Sequence, residues 1–429
     1  MTNTKHDQVK KILTYIAHKI LAKYKPFVIG ITGSVGKTST RHAIAAALSK
    51  KYKLREPIRN YNSEFGILLT LFGTDGLEKN HKAIGWLRVL AKALYVWLVP
   101  QDYPKMLVLE YGIDHPNDMD ALLHIVKPDI TVLTTIGVSH KEFFNTNEEI
   151  AHEKGKLAEA LSEDGFFVYN ADDALVSGQT ARVKAKTISF GTQEGGRNPQ
   201  IILKKVEENL SLPSSTTLLI KTPTRKIEFS IPVLGTGHVK AMLAAIAVAE
   251  ALDVHTDLIL QGLASYRPVP GRLSVLAGIR KTVVIDDSYN ASPISMIAAL
   301  ELLSRFPNQI KMAALGDMLE LGDVTDSAHA EVGELVARLN LQKLITVGGL
   351  GKKIGFAAQE AGMPVENIIS FGTSEQAKKE ILQIIEPEAV ILVKGSQAAR
   401  MEKISKELLA EPMSATHVLP RQYGKWLNS

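Results

Sequence analysis

The stretch "FVIGITGSVGKTSTRHAIAAALSK", residues 27–50, restricts the fold of this chain more than any other. An apolar, β-branched run leads through Gly33 and Gly36 to a lysine, three hydroxyl residues and an alanine-rich segment with helical composition. A strand that turns through glycines directly into a helix aims several backbone N–H groups, and the positive end of the helix dipole, at one point. An anion belongs there. Gly33 and Gly36 permit the close turn around Ser34, Lys37 reaches the outer phosphates of a nucleotide, and the hydroxyl of Thr38, followed by Ser39, suits Mg²⁺. The strict phosphate-loop pattern wants a glycine five places before Gly36, where this chain has Ile31, with Gly30 one position early. The match therefore rests on "TGSVGKTS" between a strand and a helix. A merely structural glycine turn would leave Lys37 unexplained.

The same rhythm continues downstream. The runs "MLVLEYG", "ITVLTTIG" and "GFFVYNADD" alternate with segments rich in Ala, Leu, Glu and Lys, which predicts a parallel sheet with crossover helices. From about residue 180 to 232 the text is less regular, and "ISFGT", "PQIILKKV", "STTLLIKT" and "RKIEFSIPV" read as antiparallel strands added to that first domain. A helix "VKAMLAAIAVAEAL" follows, then "SYRPVPGRLSV", whose prolines and glycine mark a hinge. A second α/β series runs through "TVVIDDSYNA", "IKMAALGDM", "KLITVGG" and "AVILVKGS". The expected organisation is an amphipathic helix in residues 1–26, a phosphate-loop ATPase domain in 27–268, and a Rossmann-like α/β domain in 269–429.

Composition narrows the function class. Cysteine is absent, which removes disulfides, thiolate metal sites and cysteine nucleophiles together. The net charge of +5, without clustered Lys/Arg runs, fits phosphorylated small molecules better than nucleic acid. The start "MTNTKHDQVKKILTY" lacks the apolar core of a signal peptide, so a cytoplasmic location is expected. One stretch stands apart. "AIGWLRVLAKALYVWLVP", residues 83–100, is aromatic and apolar but short and interrupted by Arg88 and Lys92. It reads as a helix packed on its own domain, with an interfacial membrane helix as the alternative.

Taken in order, "TGSVGKTS", "NYNSEFG", "LEYGIDHPNDM", "GVSHKEFF", "IAHEKGKLAEAL", "NADD", "PGRL", "DDSYNASPISM", "GDMLELG" and "LVKGS" resemble the motifs of Mur ligases. These ATP-dependent enzymes add amino acids to peptidoglycan precursors in cell-wall biosynthesis. "DDSYNA" and "GDMLELG" look most like the members that add D-alanyl-D-alanine. The resemblance implies phosphorylation of a substrate carboxylate by ATP, followed by displacement of the acyl phosphate by an amine. A carboxylate is a poor electrophile, so the protein must neutralise charge and position the reactants.

Several residues answer that demand. Glu110 closes the strand "MLVLE" at the edge where parallel sheets bind ligands, and Mg²⁺ wants such a carboxylate. His140 follows the next strand; alone it reads as a solvated loop histidine, and the resemblance makes it a metal ligand. Lys154 matches the lysine that Mur ligases carbamylate with CO₂, and the resemblance implies that this carbamate holds a second Mg²⁺ with His140 and Glu110. An ordinary surface lysine is the alternative, and Lys156 is its rival. By the same resemblance Arg272 and Asp287 contact ATP across the cleft, with Asn290 beside them. Asn60 and Asn62 fall in a substrate-side loop, and Lys394 and Ser396 face the incoming substrate.

Three departures accompany the resemblance. Mur ligases acting on UDP-linked peptides generally carry an N-terminal domain for the UDP group, whereas 26 residues precede "FVIGI" here. A UDP-binding partner chain, a different grip, or a non-UDP acceptor are the expectations that follow. Gly237, His238 and Ala241 stand where the family has its adenine-side motif, which leaves ATP against GTP open. Gln397 replaces a common arginine in "KGSQ", which weakens the assignment of the amino acid or dipeptide added. A folylpolyglutamate- or cyanophycin-type ligase and a non-catalytic nucleotide-binding subunit are the competing readings.

Overall fold

The computed structural model describes residues 2–58, 61–75, 82–137, 143–192, 198–307 and 309–427. Two sheets organise it. The first contains β1 (Phe27–Thr32), β2 (Leu54–Arg55), β3 (Met106–Glu110), β4 (Ile130–Leu133), β5 (Phe166–Asn170), β6 (Lys186–Gly191), β7 (Ile201–Asn209), β8 (Ser215–Lys221) and β9 (Lys226–Ile231). Their spatial order is β2-β3-β1-β4-β5-β6-β7-β8-β9, parallel from β2 through β7. Only β7, β8 and β9 are antiparallel neighbours. The run "ISFGT" thus departs from the expected antiparallel set. It forms β6, which follows a crossover and pairs β5 in parallel register, with Phe190 buried between layers.

Helices cover both faces of this sheet. One layer holds α1 (Thr2–Tyr24), α3 (Glu64–Phe72), α4 (Lys82–Leu98), α5 (Asp118–Ile125), α6 (Asn147–Glu159) and the short α7 (Ala174–Gly178). It packs Leu13, Ile16 and Ile20 of α1 and Val89, Ala93 and Val96 of α4 against Leu107, Leu109 and Phe167 of the sheet. The opposite face takes α2 (Lys37–Leu48), α8 (Thr236–Ala251) and α9 (Thr256–Leu263). Helix α8 is apolar nearly all round, as a helix buried between layers must be.

The second sheet follows a connecting segment that contains Pro268–Gly271. Its strands are β10 (Ser274–Ala277), β11 (Val283–Asp287), β12 (Lys311–Gly316), β13 (Lys343–Val347), β14 (Ile368–Phe371) and β15 (Val390–Lys394), in the order β10-β11-β15-β12-β13-β14. All pairs are parallel except β10–β11. Helices α10 (Pro293–Ser304), α11 (Thr325–Arg338) and α12 (Gly351–Glu360) and then α13 (Ser374–Ile384), α14 (Glu402–Leu408) and α15 (Ala415–Val418) surround it. The two units touch. Leu234 lies in the second core, Arg305 pairs with Glu208 at 2.8 Å, and the side chain of Ile294 abuts Gly137.

Candidate active site

Strand β1 delivers the glycine turn to the carboxyl edge of the sheet, between β3 and β4. Gly33 has φ +148°, and a Cβ there would sit 2.0 Å from Thr134 Oγ1. Gly36, at φ +89°, occupies the left-handed region immediately before α2. Gly30, the early glycine of the sequence pattern, lies inside β1. Ser34 is fixed to the loop after β4: its Oγ donates to Gly137 O at 3.0 Å, and Gly137 N–H donates back to Oγ at 3.1 Å. Lys37 folds over the turn and donates to Gly33 O at 2.6 Å, and burial lowers its pKa.

Register then brings Glu110 to the cradle. It pairs with Ile31 across β1–β3, and its carboxylate is buried. Thr38 Oγ1 donates to one carboxylate oxygen at 3.3 Å, and Arg41 Nε donates to the other at 2.7 Å. Arg41 is a site residue that the sequence alone does not single out. Its spacing from Lys37 and Thr38 puts it one turn along the same helix face, which was the available signal. Fully buried, it also donates to Pro57 O at 2.7 Å and pairs with Glu56 at 3.1 Å.

Helix α6 supplies the next group. Thr146 caps it by accepting the Glu149 N–H at 3.1 Å, and the following turns bury Glu153 and Lys154. Lys154 is 1% exposed, and burial, with Lys37 second, pushes its pKa well below the ordinary lysine value. Asp114 and Glu153 oppose that shift. Lys156, the rival in sequence, sits at the surface and is occupied by Asp120 at 2.6 Å and Glu153 at 2.8 Å. Asn62 lies beside Gly112, just beyond Glu110, and its carbonyl accepts the Gly112 N–H at 2.9 Å. His140 and Asn60 lie outside the described residues.

The second unit contributes from the opposite side. Arg272 stacks 4.2 Å from the Tyr289 ring centre, leaves its buried Nε without a partner among the described residues, and is within electrostatic reach of Lys37. Asp287 and Lys394, expected on different reactants, bind each other at 2.5 Å at the neighbouring ends of β11 and β15. Asp287 also accepts the Leu273 N–H at 3.1 Å. Asn290 takes part through its carbonyl, which accepts from Lys394 at 2.9 Å, while its side chain is exposed. Ser396 is buried with a hydroxyl that has no partner among the described residues. Arg421, unforeseen from sequence, clasps this region by donating to Ser288 O and Tyr289 O and pairing with Glu402.

The adenine-side departure has a structural outcome. His238 is buried and faces the connecting segment: Nδ1 meets Tyr266 Oη at 2.9 Å and Nε2 meets Arg272 O at 3.0 Å. Tyr266 in turn lies against Ser39 of the cradle. Ala241 is buried within α8, and Gly237 faces open space.

The chain is similar to known proteins over most of its length. Residues 31–249 match the family described as the Mur ligase middle domain, and residues 271–397 the Mur ligase, glutamate ligase domain. The chain is 30% identical over 414 residues to the UDP-N-acetylmuramoyl-tripeptide–D-alanyl-D-alanine ligase of Bacillus subtilis (strain 168), covering 95% of this chain and 81% of that protein. Among solved structures, MurF from Acinetobacter baumannii superposes with a TM-score of 0.77 at 25% identity, covering 94% of this chain and 81% of that one. MurF from Thermotoga maritima in complex with ADP gives 0.75 at 25% identity, covering 93% and 83%.

Proposed function

The chain belongs to the Mur ligase family of ATP-dependent ligases, and from that premise we propose that it joins D-alanyl-D-alanine to the carboxylate of a UDP-linked muramoyl tripeptide through an acyl phosphate. The observation that carries the reading is the convergence of Lys37, Thr38, Glu110 and Lys154 at one sheet edge, with Arg272 facing them. We take the division between the two units at Val269.

Thr38 and Glu110 offer hard oxygen donors 3.3 Å apart, a donor set that fits Mg²⁺. Bound there, the ion would neutralise charge on the transferring phosphoryl group. Lys37 exchanges the neutral carbonyls of its own loop for an anionic phosphate, a stronger acceptor. Arg41 holds the Glu110 carboxylate so that one oxygen stays turned to Thr38. Lys154, whose pKa burial and then Lys37 lower so that the neutral amine is favoured, adds to CO₂ with loss of one proton and becomes an anionic carbamate near Lys37. His140 remains the proposed companion ligand. Arg272 brings a planar fork to the nucleotide from the second unit, and Asp287, Lys394 and Ser396 line the approach of the amine.

The test is phosphate release from ATP by the purified chain with D-alanyl-D-alanine and a panel of carboxylate acceptors that includes the UDP-muramoyl tripeptide, with and without bicarbonate. Release should require both the dipeptide and an acceptor, and the product mass should equal their sum less one water. Absence of acceptor-dependent turnover with every member of the panel would transfer the case to a non-catalytic nucleotide-binding subunit.

A further inference from the structure

Helices α1 and α4 form the outer skin of the first unit, and each buries only one stripe in the core. Their outward stripes are unusual in being both apolar and cationic. Along α4, Leu87 and Leu98 lie three turns apart on the outward side and are 65% and 63% exposed. The adjacent stripe carries Arg88, Lys92 and Tyr95, with the Lys92 amine 5.5 Å from the Tyr95 ring centre. On α1, Ile12 and Tyr15 are more than half exposed, and Lys11 and Lys19 flank Tyr15 one turn away on either side.

The two stripes make one continuous surface. Tyr15 meets Trp97 edge to face with ring centres 6.3 Å apart, Lys23 donates to Trp97 O at 2.6 Å, and Tyr24 Oη donates to Val96 O at 3.0 Å. Between residues 8 and 24 and between 82 and 99 there is no Asp or Glu. Glu64 of α3 and Asp102, just beyond α4, are each occupied by a lysine, Lys10 and Lys53. Among the described residues no helix is long and apolar enough to cross a bilayer.

Leucines for the acyl boundary, tryptophan and tyrosine for the headgroup level, and lysines and arginine for anionic phosphates are the requirements of a helix lying in a membrane interface, and Lys11, Lys19, Arg88 and Lys92 pair with no carboxylate among the described residues. We propose that the α1–α4 face docks the enzyme on anionic lipid bilayers. The charge sign selects this occupant over a second copy of the chain, whose equally cationic face would repel it. None of these residues belongs to the nucleotide cradle, so docking and ligation are separable.

The experiment is flotation of the full chain with vesicles of phosphatidylcholine containing phosphatidylglycerol, against vesicles of phosphatidylcholine alone. The wild-type chain should float with the anionic vesicles only, and should be released at about 1 M salt, where the screening length falls to roughly 3 Å. Arg88→Gln/Lys92→Gln should weaken partition by roughly fivefold per cation removed. Leu87→Gln/Leu98→Gln should abolish it, and the tryptophan emission of the wild type should shift to shorter wavelength on binding. Nucleotide binding of both variants should be unchanged, which certifies that they fold. Equal binding to neutral vesicles, no flotation with either, or a dimer in light scattering that the leucine variant dissolves would each overturn the proposal.

Discussion

At the scale of single residues, the site is governed by buried charge. Glu110 and Arg41 are both about 2% exposed, so neither tolerates loss of the other. Arg41→Met should destabilise the chain by roughly 3–5 kcal/mol in urea unfolding, because an unpaired carboxylate is left inside. The double variant Arg41→Met/Glu110→Met should regain much of that stability while phosphate release stays absent. Lys154→Ala should abolish turnover, and added short carboxylates should restore part of it; Lys156→Ala, at a surface pair, should lose little. A third test concerns Asp286, which is buried behind the site, accepts from Ser405 at 2.6 Å and is pushed up to about 7 by desolvation. With the folded pKa above the unfolded 3.8, its unfavourable contribution is absent in acid, grows as pH rises through that interval, and is full above about 7. Asp286→Asn should therefore stabilise the chain by about 1–3 kcal/mol at pH 8 and by much less near pH 4. Sequence made Glu110 legible, since a carboxylate at a strand end is a local signal. Arg41 and Arg421 were not, because their importance comes from burial and from partners distant in the chain, which no local pattern encodes.

Among elements, the phosphate turn and α6 carry the most consequence. Gly33→Ala forces a left-handed φ on a side chain that would collide with Thr134, so ATP binding by calorimetry should be lost even where the fold survives. Thr146→Ala removes the cap of the helix that bears Lys154 and should lower stability by about 1 kcal/mol, with activity more bicarbonate-dependent than that of the wild type. Strand existence and the two α/β series were readable from the alternation of β-branched runs and helical text. Partnering was not: β6 carries the same residue types as its antiparallel followers. What makes it parallel is the crossover through α7 that returns the chain to the same edge. The outward stripe of α4 was equally hidden, because an aromatic helix reads alike whether one side or both are covered.

For the molecule as a whole, the candidate site is assembled from two units, and the junction between them is stiffened by a buried histidine. His238 joins α8, Tyr266 and the Arg272 carbonyl, so it ties the first unit to the segment from which the second unit departs. Since Arg272 senses Lys37, saturating ATP analogue should make heat unfolding of both units a single calorimetric transition, and Arg272→Ala should separate it into two. The doubly hydrogen-bonded latch between Ser34 and Gly137 carries this further, because Ile294, in the first turn of α10, presses on that same glycine. The glycine turn and the helix that rides on the other sheet share one bearing point. Moving that helix toward the glycine would press on the hydrogen-bonded latch, whereas moving it away would free the glycine of its apolar neighbour. The glycine turn of the first sheet and the first turn of α10 are thus joined at Gly137, beside the contacts that Leu234 and Arg305 make between the same two units.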